Sequence, residues 1–118
     1  FVSIHINSVE NAPTASGAEI YYSASNNGDD YGATSKELAS NILSEVIKQT
    51  NQRNRGVKTA EHVVTRSCNM PAALLEVGFI TNEEELRNML SDSWQTKVAT
   101  GVANGIIKTW SEITVPVN

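Results

Sequence analysis

Two titratable residues stand out by their place in the pattern of the chain: His5 within "FVSIHINS" and Glu76 within "PAALLEVGFITN". Glu76 is the one carboxylate in an otherwise apolar run. Burying it there costs several kcal/mol or raises its pKa unless a cation or donor compensates. Either it forms a structural ion pair, with Arg66 the natural candidate, or it is a general base tuned upward by its surroundings. A lone histidine on a strand's polar face is more often a hydrogen-bonded structural residue than a metal ligand, although neutral imidazole is the commonest metal-binding side chain. Taken together, the pair points to hydrolysis: a metal held partly by His5 activates water, and Glu76 takes the proton. One histidine does not hold a catalytic zinc, which takes three protein ligands and keeps a position open for water. The other histidine, His62 in "TAEHVV", reads as exposed rather than coordinating.

The elements that must position these residues follow from periodicity. In "FVSIHIN" Val2, Ile4 and Ile6 alternate with Ser3, His5 and Asn7, which predicts a strand with one apolar and one polar face. Ala18 to Ser23 reads as a second strand, His62 to Arg66 as a short weak one, and Ala72 to Phe79 as a strand covered on both faces. Thr34 and Glu37 have capping-box spacing ahead of the stripe Leu38, Ile42, Leu43, Val46 and Ile47, which predicts a helix. Asn82 with Glu85 starts a short helix through Leu90, Thr81 and Asn82 serving as caps. Asp92 with Gln95 starts a longer one, along which Trp94, Val98, Val102, Ile106 and Trp110 form a stripe read as core. The polar stretch Ser23 to Thr34 reads as a surface loop, and residues 113–118 as a loose tail. Strands alternating with helices predict an α/β layer structure with a mixed, mostly parallel sheet flanked by helices. Ligands of such sheets bind outside the carboxyl ends of strands, where both His5 with Asn7 and Glu76 lie.

The bulk composition narrows the function classes. At 118 residues, 40% of them hydrophobic, the chain has material for one core. A net charge of −4 without a Lys/Arg cluster argues against nucleic acid and against adsorption to an anionic membrane. No apolar run is long enough for membrane insertion. The single cysteine, Cys68, excludes an internal disulfide and offers no zinc-finger spacing. The chain opens inside a strand-like pattern without a starting Met, so a piece of a longer protein is expected.

The assembled residues resemble the zinc-dependent N-acetylmuramoyl-L-alanine amidases of the third sequence type, which cleave bacterial peptidoglycan. "FVSIHINS" resembles the family's strand motif with its histidine, and "GAEIYYS" the strand after it. "RGVK" and "VVTRSCNMPAALLEVGFITNEEE" resemble the C-terminal signature, and "KVATGVANGIIKTW" the last helix. The resemblance implies a hydrolase fold of which this chain, 1–118, is the C-terminal two-thirds of the catalytic domain. It implies that His5 is a ligand of one Zn2+, that Glu76 is the catalytic glutamate, and that Asn7 and Arg66 lie near the site in substrate or supporting roles. Asn7 satisfying loop backbone groups and Arg66 acting as a plain ion-pair partner are the alternatives for those two.

The family's upstream Gly-His-Gly turn and a later glutamate ligand are not in the sequence, so the remaining zinc ligands are expected upstream of Phe1. A fragment without them is expected to be inactive. The implied partners are peptidoglycan, the upstream segment and a regulatory protein; the implied location is extracytoplasmic, secreted or at the cell wall, in a bacterium or as a phage lysin. Two other classes stand beside this reading. A non-catalytic cell-wall-binding or regulatory module would keep the fold without a working site. A glycosidase would need a second carboxylate opposite Glu76, and Glu19, early in its strand, reads as structural.

Overall fold

A computed structural model describes residues 1–26, 28 and 32–113. Residues 114–118, nearly all of the expected tail, and 27 and 29–31 of the expected loop lie outside the described residues. Strands β1 (Val2–Asn7), β2 (Ala18–Tyr22), β3 (Asn54–Thr59) and β4 (Ala73–Phe79) form a sheet in the order β1-β4-β2-β3. β1 runs parallel to β4 and β2 parallel to β3, while β2 and β4 are antiparallel. The mixed, mostly parallel sheet flanked by helices is thus present.

Helix α1 (Ser35–Thr50) starts at a complete capping box between Thr34 and Glu37 and ends at Asn51 in the left-handed conformation. Its stripe of Leu38, Ile42, Leu43 and Val46 is buried against Ala18 and Ile20 of β2 and Ala73, Leu75 and Val77 of β4. Helix α4 (Asp92–Glu112) packs along α1. The contact is close because α4 places glycines there: a Cβ on Gly101 would stand 2.6 Å from the Val46 Cα, and one on Gly105 2.4 Å from the Ile42 Cα.

Glu85, the third residue of the short helix α3 (Glu83–Met89), is a buried carboxylate that ties three segments together. It accepts from the backbone N–H of Gly17 at 3.1 Å, of Phe79 at 3.0 Å, and from the Gln52 amide at 3.0 Å. Asn82 caps α3 by accepting from the Glu85 N–H, as its spacing predicts, and the Thr81 hydroxyl accepts from the N–H of Val9.

The structure corrects several sequence expectations. Val63–Arg66 is one helical turn, α2, rather than a strand: Thr65 is fully buried and its carbonyl accepts from Asn26. The strand β3, in a polar stretch, is not visible as periodicity. Ser91 rather than Asp92 caps α4, its hydroxyl accepting from the Trp94 N–H. Trp94 packs on the core, but Trp110 is 76% exposed: the buried face of α4 is Val98, Gly101, Val102, Gly105 and Thr109, and a strict step of four residues drifts off it, although α1 still meets α4 there through Asn41 and Thr109. Ile4 and Ile6 are about half exposed at 55% and 53%, since β1 is an edge strand at the margin of the helix layer.

Candidate active site

The register of the sheet builds the site. His5 of β1 is the lateral partner of Glu76 on β4, and Glu76 is in turn the partner of Glu19 on β2. Lateral partners share a face, so an imidazole and two carboxylates form a row across three strands. They stand on the side of the sheet opposite Ile20, Leu75 and the helices. One residue beyond, β4 carries a bulge relative to β1: Asn7, two residues after His5, pairs with Phe79, three residues after Glu76. The extra residue brings Phe79 onto the site face. The Arg55 guanidinium lies over the Phe79 ring, 4.8 Å from its centroid.

The two carboxylates have opposite surroundings. Glu19 is 3% exposed and fully engaged. It accepts from Asn7 Nδ2 at 2.9 Å, Tyr21 Oη at 2.9 Å and Arg55 Nε at 3.2 Å, and is paired with Lys58 Nζ. Burial alone would raise its pKa; Lys58, Tyr21 and Arg55 together outweigh burial and hold it below the usual carboxylate value. Tyr21 responds in kind: burial and the bond to Glu19 push its hydroxyl up to about 12.

Glu76, half-buried, accepts no hydrogen bond among the described residues, and its Oε2 is buried without a partner. Burial raises its pKa, as does the charge of Glu19, while His5 and His62 pull the other way. An acid held high and uncommitted beside a histidine is what a proton-transfer role requires.

The sequence-predicted residues are placed as follows. His5 and Glu76, 71 positions apart, are brought side by side, with His5 exposed. Asn7 joins the row through Glu19, and both ends of its amide are engaged, since Oδ1 accepts from the Ser8 N–H. Arg66 is exposed at the end of α2 and makes no ion pair with Glu76 among the described residues. His62 is half-buried rather than exposed, its ring edge-on to Tyr21 at 5.3 Å. Tyr21, Arg55 and Lys58 were missed as site residues. The alternation in "AEIYY", which puts Glu19 and Tyr21 on one face, was the available signal.

As to a metal, His5 is an accessible imidazole next to an unpartnered acid, which suits one ligand position. Among the described residues no group of three His, Cys, Asp or Glu side chains is arranged to hold an ion. These residues therefore fit part of a metal site and not the whole of one.

Both residues stand at mid-strand, Glu76 at the centre of Ala73–Phe79, rather than at the strand ends the sequence suggests, and an acid set beside an imidazole on one sheet face fits a hydrolase class of site. Comparison with known proteins specifies it. Residues 1–108 match the family model described as N-acetylmuramoyl-L-alanine amidase, and the chain belongs to that family. It is 40% identical over 106 residues to the uncharacterized protein YqiI of Bacillus subtilis, covering 90% of this chain and 48% of that protein. It is 37% identical over 106 residues to the sporulation-specific N-acetylmuramoyl-L-alanine amidase of the same organism, covering 90% of this chain and 38% of that one. The crystal structure of an N-acetylmuramoyl-L-alanine amidase from Clostridium difficile superposes with a TM-score of 0.86 at 32% identity, covering 96% of this chain and 58% of that one. The chain thus spans about half the length of these relatives, 48% of the first and 58% of the crystallised chain.

Proposed function

We propose that this chain is part of the catalytic domain of a peptidoglycan amidase, which hydrolyses the amide joining the lactyl group of N-acetylmuramic acid to L-alanine of the stem peptide. The observation that carries the reading is the lateral pairing of His5 with an uncommitted, half-buried Glu76. Family membership and the amidases among the similar structures support it.

In this reading Glu76 accepts the proton of the attacking water and delivers it to the departing amine. The carbon–nitrogen bond breaks as the carbon–oxygen bond forms, leaving a muramoyl carboxylate and a peptide with a free amino terminus. The raised pKa suits both halves of that transfer, since a base that is too acidic does not take the proton. His5 would supply one ligand to a zinc ion, the rest of the set coming from outside the described residues. When bound, zinc supplies Lewis-acid polarisation of the scissile carbonyl and activation of water. The Glu19 cluster contributes order and charge: with Arg55 and Lys58 committed to Glu19, Glu76 keeps no cation of its own. The site of action would be the bacterial wall; no described helix is long and apolar enough to cross a membrane.

Digestion of purified peptidoglycan by the complete protein tests the proposal. Mass spectrometry should find stem peptides with a free L-alanine amine and glycan strands with unsubstituted lactyl carboxyls. Cleavage confined to the glycan, or none in zinc-replete enzyme, overturns it. The second reading, a binding module, is favoured by the single metal ligand among the described residues, and predicts wall binding without any released peptide.

A further inference from the structure

A base that takes a proton from one atom and returns it to another must point in a defined direction, and such groups are normally oriented by a third one. Glu76 has no such anchor among its committed neighbours. On β2, Glu19 repels it and the Tyr21 hydroxyl already donates to Glu19. On β3, Arg55 and Lys58 are bound to Glu19. On β1, His5 is reserved by the amidase reading for a metal.

His62 remains. Its Nδ1 is buried without a partner among the described residues, as is Oε2 of Glu76, and a buried polar atom left unmet is costly. Its ring is held edge-on to Tyr21, whose hydroxyl is bonded to the lateral partner of Glu76. A protonated ring at this position pulls the Glu76 pKa down, against the effect of burial. The backbone carrying it is pinned: the His62 carbonyl accepts from the N–H groups of Thr65 and Arg66, the adjacent Glu61 carboxylate accepts from Ser23, and Asn26 donates to the carbonyl of buried Thr65.

We propose that His62 is the positioning residue of Glu76, its ring N–H holding the carboxylate through one bridging water in the direction that proton transfer needs. The proposed bridge does not depend on the amidase reading; only its kinetic consequence rests on it. Two measurements on the complete protein separate them. Long-range 1H–15N spectra should show the His62 ring nitrogens shifting between the wild-type protein and Glu76→Ala. Identical ring shifts in the two overturn the inference. On a muramoyl peptide, His62→Phe keeps the edge contact with Tyr21 and removes the N–H, so kcat should fall about 10- to 100-fold with KM little changed. His62→Gln should recover part of that loss. An equal loss in both variants, or a change in KM alone, also overturns it. A wild-type protein that cleaves no muramoyl peptide defeats the amidase reading and leaves the spectroscopic result standing.

Discussion

Glu19 and Glu76 face each other across the antiparallel pair of β2 and β4, and their environments drive them apart. One is ringed by an ammonium, a guanidinium, a phenol and an amide; the other accepts no direct hydrogen bond among the described residues. Two neighbouring acids with divergent proton affinities mark a division of labour, one fixed as a charge and one free to exchange its proton. Burial pushes both upward; the donors and cations around Glu19 reverse that and lower it, whereas the histidines near Glu76 do not, and it stays raised.

Glu76→Gln should reduce amide hydrolysis by about 10²–10⁴-fold while leaving zinc content unchanged. Activity within tenfold of the wild type would remove Glu76 from the mechanism. The same variant makes a stability prediction. A raised folded-state pKa means that the folded protein binds this proton more tightly than the unfolded chain does. The resulting stabilisation is complete below the ordinary value of 4.5 and disappears as pH rises through the folded value. Urea unfolding should therefore show Glu76→Gln gaining on the wild type as pH is raised from about 4 to about 7.

Glu19→Ala acts in the opposite sense. The lowered pKa of Glu19 contributes stability that is present above 4.5 and lost as pH falls through the folded value. Removing one partner of a buried pair costs about 3–5 kcal/mol. Arg55 and Lys58 reach solvent, so about 2 kcal/mol is expected at neutral pH. The deficit relative to wild type should shrink in acid. A deficit independent of pH would show that the ion pairs contribute nothing.

His5→Ala should lower bound zinc in the complete protein, as read by elemental analysis, and leave the unfolding curve of the zinc-free protein unchanged, since the exposed imidazole makes no hydrogen bond among the described residues. Full zinc retention would exclude His5 from the ligand set.

Gly105→Leu inserts a side chain where even a Cβ would meet backbone of α1 at 2.4 Å. Overpacking of this kind costs about 1–3 kcal/mol, and contact with backbone places it at the upper end. A calorimetric melting temperature equal to the wild type's would mean that α1 and α4 separate at no cost.

What the sequence discloses and what it hides divide along physical lines. The alternation in "FVSIHIN" and the lone acid in "PAALLEVGF" were legible because a half-polar strand and a buried charge each leave a local mark. Their meeting at one site was expected from strand placement and the family resemblance, but their lateral register was not legible, since a register is a property of two strands and neither carries it alone. Val63 and Val64 read as strand because β-branched residues favour one, yet anchoring of Thr65 by Asn26 bends the segment into a helical turn. β3 escaped notice for the opposite reason: "NRGVKT" owes its strand form to pairing with β2, and its charged residues serve the site. Trp110 stands four residues after Ile106 and is nevertheless in solvent, because steps of four rotate off a 3.6-residue face, and the face α4 buries is the one carrying Gly101, Gly105 and Thr109.

The bulge in β4 has a consequence for how this segment tolerates change. Between the level of His5 and that of Asn7, β4 uses three steps where β1 uses two. Deleting either Val77 or Gly78 would restore equal counts and swing Phe79 to the opposite side. Arg55 would then lose the ring beneath it, and Glu19 would lose a neutralising neighbour. Every side chain that distinguishes the two acids would still be in the gene. The length of one short segment, more than any single functional group, keeps them unlike.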